Sequence, residues 1–91
     1  MALCQEGGYT ISQLQVNFAQ YVQGSIPGVI KAEWKSPVDL WVEAAGVNKD
    51  GAKDIALDVI YASKTQLGQS FCVHVHDGSY ENLSLICWSA P

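Results

Sequence analysis

Cys72, His74 and His76 alternate along "FCVHVHD", and Asp77 and Glu81 follow within what reads as the turn of a β-hairpin. Residues two apart on a strand point to one side at a spacing of ~6.5–7 Å, close enough for two imidazoles to reach one ion. Thiolate and imidazole both ligate zinc, so Cys72, His74 and His76 offer three of a tetrahedral four, which Asp77 or Glu81 could complete or brace. One strand presents its ligands in a row, however, and a row suits a tetrahedron poorly unless another segment contributes. Thiol catalysis is the second chemistry on offer, because an imidazole beside a thiol helps it ionise and attack an acyl carbon. Side chains at i and i+2 run parallel, and neither an oxyanion-donor loop nor a third orienting group accompanies them. The expectation is therefore no cofactor and no resident metal. A metal-dependent or thiol enzyme centred on Cys72, His74 and His76 stands as the alternative.

Two short patterns resemble known families. Gly68-x5-His74-x-His76-x4-Glu81 is similar to the first motif of the cupins, which implies a metal held by two His and a Glu in a β-barrel. The glycine that closes that motif after six intervening residues is Trp88 here, and the second motif, with its third His, has no counterpart. His74-Val75-His76-Asp77 resembles the opening of the metallo-β-lactamase His-x-His-x-Asp-His pattern, without its spacing. Neither resemblance extends beyond about twenty residues, and no family is assigned.

The elements that must position these residues show in the hydrophobic pattern. "TISQLQVNFAQYVQG" predicts a helix capped by Thr10 with Gln13, closed at Gly24, with Ile11, Leu14, Phe18, Tyr21 and Val22 as its apolar face. "VIKAEWK" and "VDLWVEA" alternate on either side of Ser36-Pro37 and predict a hairpin. Ile30, Ala32 and Trp34 share one face of the first strand; Val38, Leu40, Val42 and Ala44 share one face of the second. Asn48 to Asp50 can cap a helix that runs to about Leu67 and ends at Gly68, with Ala52, Ile55, Ala56, Val59 and Ala62 buried. A final hairpin carries the histidines. The order is α-β-β-α-β-β, an α+β two-layer sandwich with two helices on one face of a four-stranded, mainly antiparallel sheet.

The last hairpin has two available registers. A three-residue loop pairs Val75 with Leu83, Val73 with Leu85 and Phe71 with Cys87, leaving free thiols; a four-residue loop faces Cys72 with Cys87 and Phe71 with Trp88. The first aligns the apolar faces and is the expected one. The open sheet face then carries Trp41, Cys72, His74, His76, Ile86 and Trp88, rimmed by Lys31, Glu33, Asp39 and Glu43. That mixture has the anatomy of an interface.

Composition narrows the partners. The 91 residues, 48% apolar and 15% charged, read as one small domain spanning 1–91. Such a domain buries only roughly 60–65% of its unfolded surface and benefits from association. All five cations are lysine and the net charge is −4, so there is no footprint for nucleic acid. No stretch reaches the ~18 apolar residues of a membrane span, and the first ten residues do not read as a signal peptide. Three cysteines without scaffold spacing suit a reducing compartment. The sequence thus predicts an acidic, soluble, cytoplasmic, non-enzymatic interaction or ligand-binding domain. It is expected to be a homodimer that uses Trp41, His74, His76, Ile86 and Trp88 to meet a protein or small molecule.

Overall fold

A computed structural model describes residues 4–6, 9–78 and 82–90. It runs β1 (Cys4–Glu6), β2 (Tyr9–Ile11), α1 (Gln13–Ser25), β3 (Val29–Ser36), β4 (Asp39–Ala44), α2 (Lys49–Gln66), β5 (Phe71–His76) and β6 (Ser84–Trp88). The expected α-β-β-α-β-β order holds from α1 onward, as an α+β fold with a four-stranded sheet in the order β3-β4-β5-β6. Both hairpins are antiparallel, and β4 pairs with β5 in parallel across the α2 crossover. The short β1–β2 hairpin is an addition that the hydrophobic pattern did not signal.

α1 starts two residues later than expected. Thr10 lies in β2, so Ser12 takes the cap: its Oγ accepts from Gln15 N (3.2 Å), and Gln15 Oε1 accepts from Ser12 N (3.1 Å). The shift also turns the helix. Leu14 is 57% exposed and Tyr21 is exposed, whereas Gln15 and Ala19 join Phe18 and Val22 in the core. Gln15 tolerates burial because its amide is satisfied, Nε2 donating to Pro37 O at 2.8 Å. Its backbone carbonyl accepts Trp34 Nε1–H at 2.8 Å. One residue thus ties the first turn of α1 to β3 and to the β3–β4 turn.

α2 follows its pattern closely. Asn48 Oδ1 accepts from Gly51 N (2.8 Å), and the helix closes with Leu67 as its C-cap, before Gly68 with φ +70°. Ala52, Ile55, Ala56 and Val59 are buried, with Ile60 and Ser63, against β5 and β6. α1 packs over β3. Leu40, Val42, Ala44, Phe71, Val73 and Val75 form the sheet's half of the core, and Phe71 meets the rings of Phe18 (6.0 Å) and Trp34 (5.6 Å). A register shift between Val29 and Lys31 moves Ile30 out of the expected alternation and leaves it 52% exposed.

The β5–β6 register corrects the expected one. Phe71 pairs with Trp88, Cys72 with Cys87, Val73 with Ile86 and His74 with Leu85. One residue of slip exchanges the two faces of β6. Ile86 and Trp88 therefore pack against the core beneath α2 and are not on the open face. Cys87 and Leu85 take their places. Burying a tryptophan and an isoleucine removes more apolar surface from water than burying Leu85 and Cys87 would. Cys72 and Cys87 form a disulfide, where free thiols were expected.

Candidate functional site

The site is built from the β3–β4 turn toward the middle of the open face. Ser36 Oγ accepts from Val38 N (3.2 Å) and donates to Asp39 Oδ2 (2.7 Å), which fixes the carboxylate at the first residue of β4. The parallel register sets Asp39 beside Cys72, Trp41 beside His74 and Glu43 beside His76. His74 reaches back along its strand, so its Nε2 lies 2.9 Å from Asp39 Oδ1. A carboxylate can only accept, so Nε2 carries the hydrogen of this contact. Nδ1 of the same ring is buried and has no hydrogen-bond partner.

Trp41 lies flat on that imidazole, with ring centroids 4.5 Å apart and planes 4° from parallel. His76 meets the indole at a tilt, 5.7 Å away. Its Nδ1 accepts from Gly78 N at 3.1 Å, which sets the ring at the start of the β5–β6 turn. Gly78 has φ +101°, and a Cβ there would come 3.3 Å from Glu43 Oε2. Glycine is thus what lets the turn close over Glu43. Across the strands, Glu33, Trp41, His74 and Leu85 form one row. Lys31 and Lys35 flank Glu33 at 3.6 and 3.4 Å and make the rim.

The electrostatics are local. Hydrogen bonds from Ser36 and then from His74 hold the Asp39 carboxyl below its ordinary value, helped by the charge His74 can carry and opposed by partial burial.

Of the five residues expected to form the surface, the structure brings Trp41, His74 and His76 together and puts Ile86 and Trp88 on the other side of the sheet. Cys72 shares the open face, but its sulfur is bonded to Cys87 and is no free nucleophile or ligand in this form. Glu81, the candidate fourth ligand, lies outside the described residues. Among the described residues no three His, Cys, Asp or Glu side chains converge to hold an ion. The pair Asp39–His74 resembles a base with its orienter, yet the ring nitrogen left over is buried and has no hydroxyl or thiol to activate. Ser36 and Leu85 are site residues the sequence reading missed. Ser36 had a signal, since Ser36-Pro37-Val38-Asp39 has the spacing of a side-chain-closed turn.

A larger concavity lies away from this face. A cleft of about 520 Å³ opens between the C-terminal halves of α1 and α2, with Tyr21, Ser25, Asp58, Tyr61, Lys64 and Thr65 on its walls. All six of these are exposed, so no buried polar group converges into the cleft. By size alone it would be the default binding site. The open face carries the fixed polar and aromatic groups instead.

No helix among the described residues is long and apolar enough to cross a membrane. No family model matches the chain, and no curated protein or solved structure is significantly similar to it.

Proposed function

We propose that this chain is a small non-enzymatic interaction or ligand-binding domain that works through the open face of its sheet, as a homodimer. The observation that carries this is the Trp41–His74 stack, locked from below by Asp39 and Ser36 on a sheet face that neither helix covers. Side chains that are already ordered lose little freedom on meeting a partner, which is how a fixed surface gains affinity. Tryptophan is also the residue type most often found as an interface anchor. The surroundings are mixed in charge, Lys31 and Lys35 against Glu33, Asp39 and Glu43, which suits a protein or small polar molecule and disfavours nucleic acid or a lipid surface.

With Ile86 and Trp88 turned toward α2, packing two open faces together would have few apolar anchors. The face is better suited to a different partner, and the homodimer to another surface. The sequence reading favours the cytoplasm; the Cys72–Cys87 bond argues for an oxidising compartment, because reducing ones keep such pairs as thiols.

Comparative capture tests the proposal. Wild type, Trp41→Ala and the helix-side control Leu14→Ala serve as bait, and each captured candidate is purified and titrated against all three by calorimetry. A partner that binds wild type and Leu14→Ala alike and loses at least about thirtyfold in affinity for Trp41→Ala supports the open face. Partners indifferent to Trp41→Ala would remove it.

A further inference from the structure

The two edges of the sheet are built differently. β3 carries Lys31, Glu33 and Lys35, and its register with β4 is broken twice, between Val29 and Lys31 and between Trp34 and Ser36. β2 also lies against it. Charges, irregular register and a covering segment are the devices by which sheets prevent edge-to-edge pairing. Among the described residues β6 at the other edge has none of them: "SLICW" is uncharged, and its pairing with Phe71–Val75 runs without a shift.

The backbone of that edge is available. Cys72 N donates to Val38 O at 2.8 Å, so Cys72 and, by alternation, His74 direct their amides to β4. Their antiparallel partners Cys87 and Leu85 are thus in non-hydrogen-bonded pairs, as the 3.9 Å Cα separation of Cys72 and Cys87 also indicates. The N–H and C=O groups of Leu85 and Cys87 point outward, along the free edge. Leu85 is 52% exposed on the open face.

We propose that β6 is a homodimerisation edge: two copies pair their β6 strands antiparallel about a twofold axis at Ile86, joining two four-stranded sheets into one of eight strands. With the axis there, Leu85 of each copy faces Cys87 of the other, and both such pairs exchange two N–H···O bonds. Pairing about a twofold lets the same groups of each copy satisfy those of the other. An uncharged β6 also sets no like charges opposite each other, despite a net charge of −4 per chain. The pairing leaves Trp41 and His74 open in both copies. The inference rests on the homodimer half of the proposed function and is independent of its open-face half.

Sedimentation velocity over a concentration series, with amide hydrogen exchange on the same samples, tests it. The wild type is expected to be dimeric, with the Leu85 and Cys87 amides protected as concentration rises. Leu85→Pro removes an outward N–H that β5 does not use, so the monomer keeps its fold while the dimer weakens by at least about thirtyfold. Leu85→Lys sets a charge on the edge and leaves the backbone of β6 unchanged, so it weakens the dimer too and covers the case in which Leu85→Pro fails to fold. Trp41→Ala leaves the dimer intact, so failure here is distinguishable from failure of the open-face proposal. A wild type that stays monomeric at millimolar concentration, or a dimer whose Leu85 and Cys87 amides exchange freely, would overturn the inference.

Discussion

Asp39 Oδ1 and His74 Nε2 meet at 2.9 Å across the one parallel strand pair of the sheet. The contact exists because the α2 crossover brings β5 in beside β4 with Asp39 level with Cys72, two residues before His74. It gives the carboxylate a second donor besides Ser36, and it turns the imidazole plane parallel to Trp41. A hairpin pairing of the same strands would have reversed the direction of one of them and separated these groups.

Acid should reveal the Asp39 contact. Its folded carboxyl titrates below the ordinary value of 3.8, so the unfolded chain binds the proton first as pH falls. The contribution is fully present above that value and is lost as pH drops through the lower, folded one. Urea midpoints measured from pH 6 to pH 3 should fall for the wild type at the acid end. Asp39→Asn should be less stable near neutrality, by about 1 kcal/mol for hydrogen bonds to a part-exposed group, and flatter toward acid. Parallel curves for the two proteins would mean that Asp39 makes no such contribution.

Trp41 and His74 should be energetically coupled. A double-mutant cycle with Trp41→Ala and His74→Ala isolates the stack from the area each ring buries alone. The expected coupling is ~0.5–1.5 kcal/mol, the range for parallel aromatic contacts. A coupling near zero by chemical denaturation would reduce the stack to mere proximity.

Gln15 should behave as a core residue despite its type. Gln15→Ala removes the amide that joins Ser12 N and Pro37 O and leaves a void where a buried side chain was. A loss of roughly 1–3 kcal/mol is expected from unfolding curves, against little change for the exposed Gln20→Ala.

These residues also mark where the sequence could be read and where it could not. α2 is legible at both ends because Asn48 and Gly68 are single-residue signals that nothing competes with. The start of α1 is not, since Thr10/Gln13 and Ser12/Gln15 share one spacing and only the β1–β2 pairing, which claims Thr10, decides between them. Phe71, Val73 and Val75 declare the buried face of β5 plainly. β6 does not, having Leu85 and Cys87 on one face and Ile86 and Trp88 on the other, so period-two patterning is satisfied either way. The histidine site inherits that ambiguity: Trp41, His74 and His76 were found from β4 and β5 alone, whereas Leu85 and Cys87 needed the register. The Asp39–His74 contact needed the parallel β4–β5 alignment, which no local pattern encodes, whereas the Ser36–Asp39 spacing is a local turn signal.

The Cys72–Cys87 bond makes the register itself testable. Cys72 and Cys87 are 15 residues apart, and they can bond only if they share a face and stand opposite each other. In the register that pairs Phe71 with Cys87, they would lie on opposite sides of the sheet. Closing a loop of that length removes denatured-state freedom worth ~3 kcal/mol at most, and less here because the hairpin already holds its ends together. Protein purified without reductant should therefore show one reactive thiol per chain of the three cysteines present, and a Cys72–Cys87 linked peptide by mass spectrometry. Cys72→Ser with Cys87→Ser should lower stability by roughly 1–3 kcal/mol and leave the other strand pairings unchanged in amide exchange. Three reactive thiols per denatured chain, in protein kept from reductant, would return β6 to the other register. Ile86 and Trp88 would then move to the open face, and the outward amides of the β6 edge would be those of different residues.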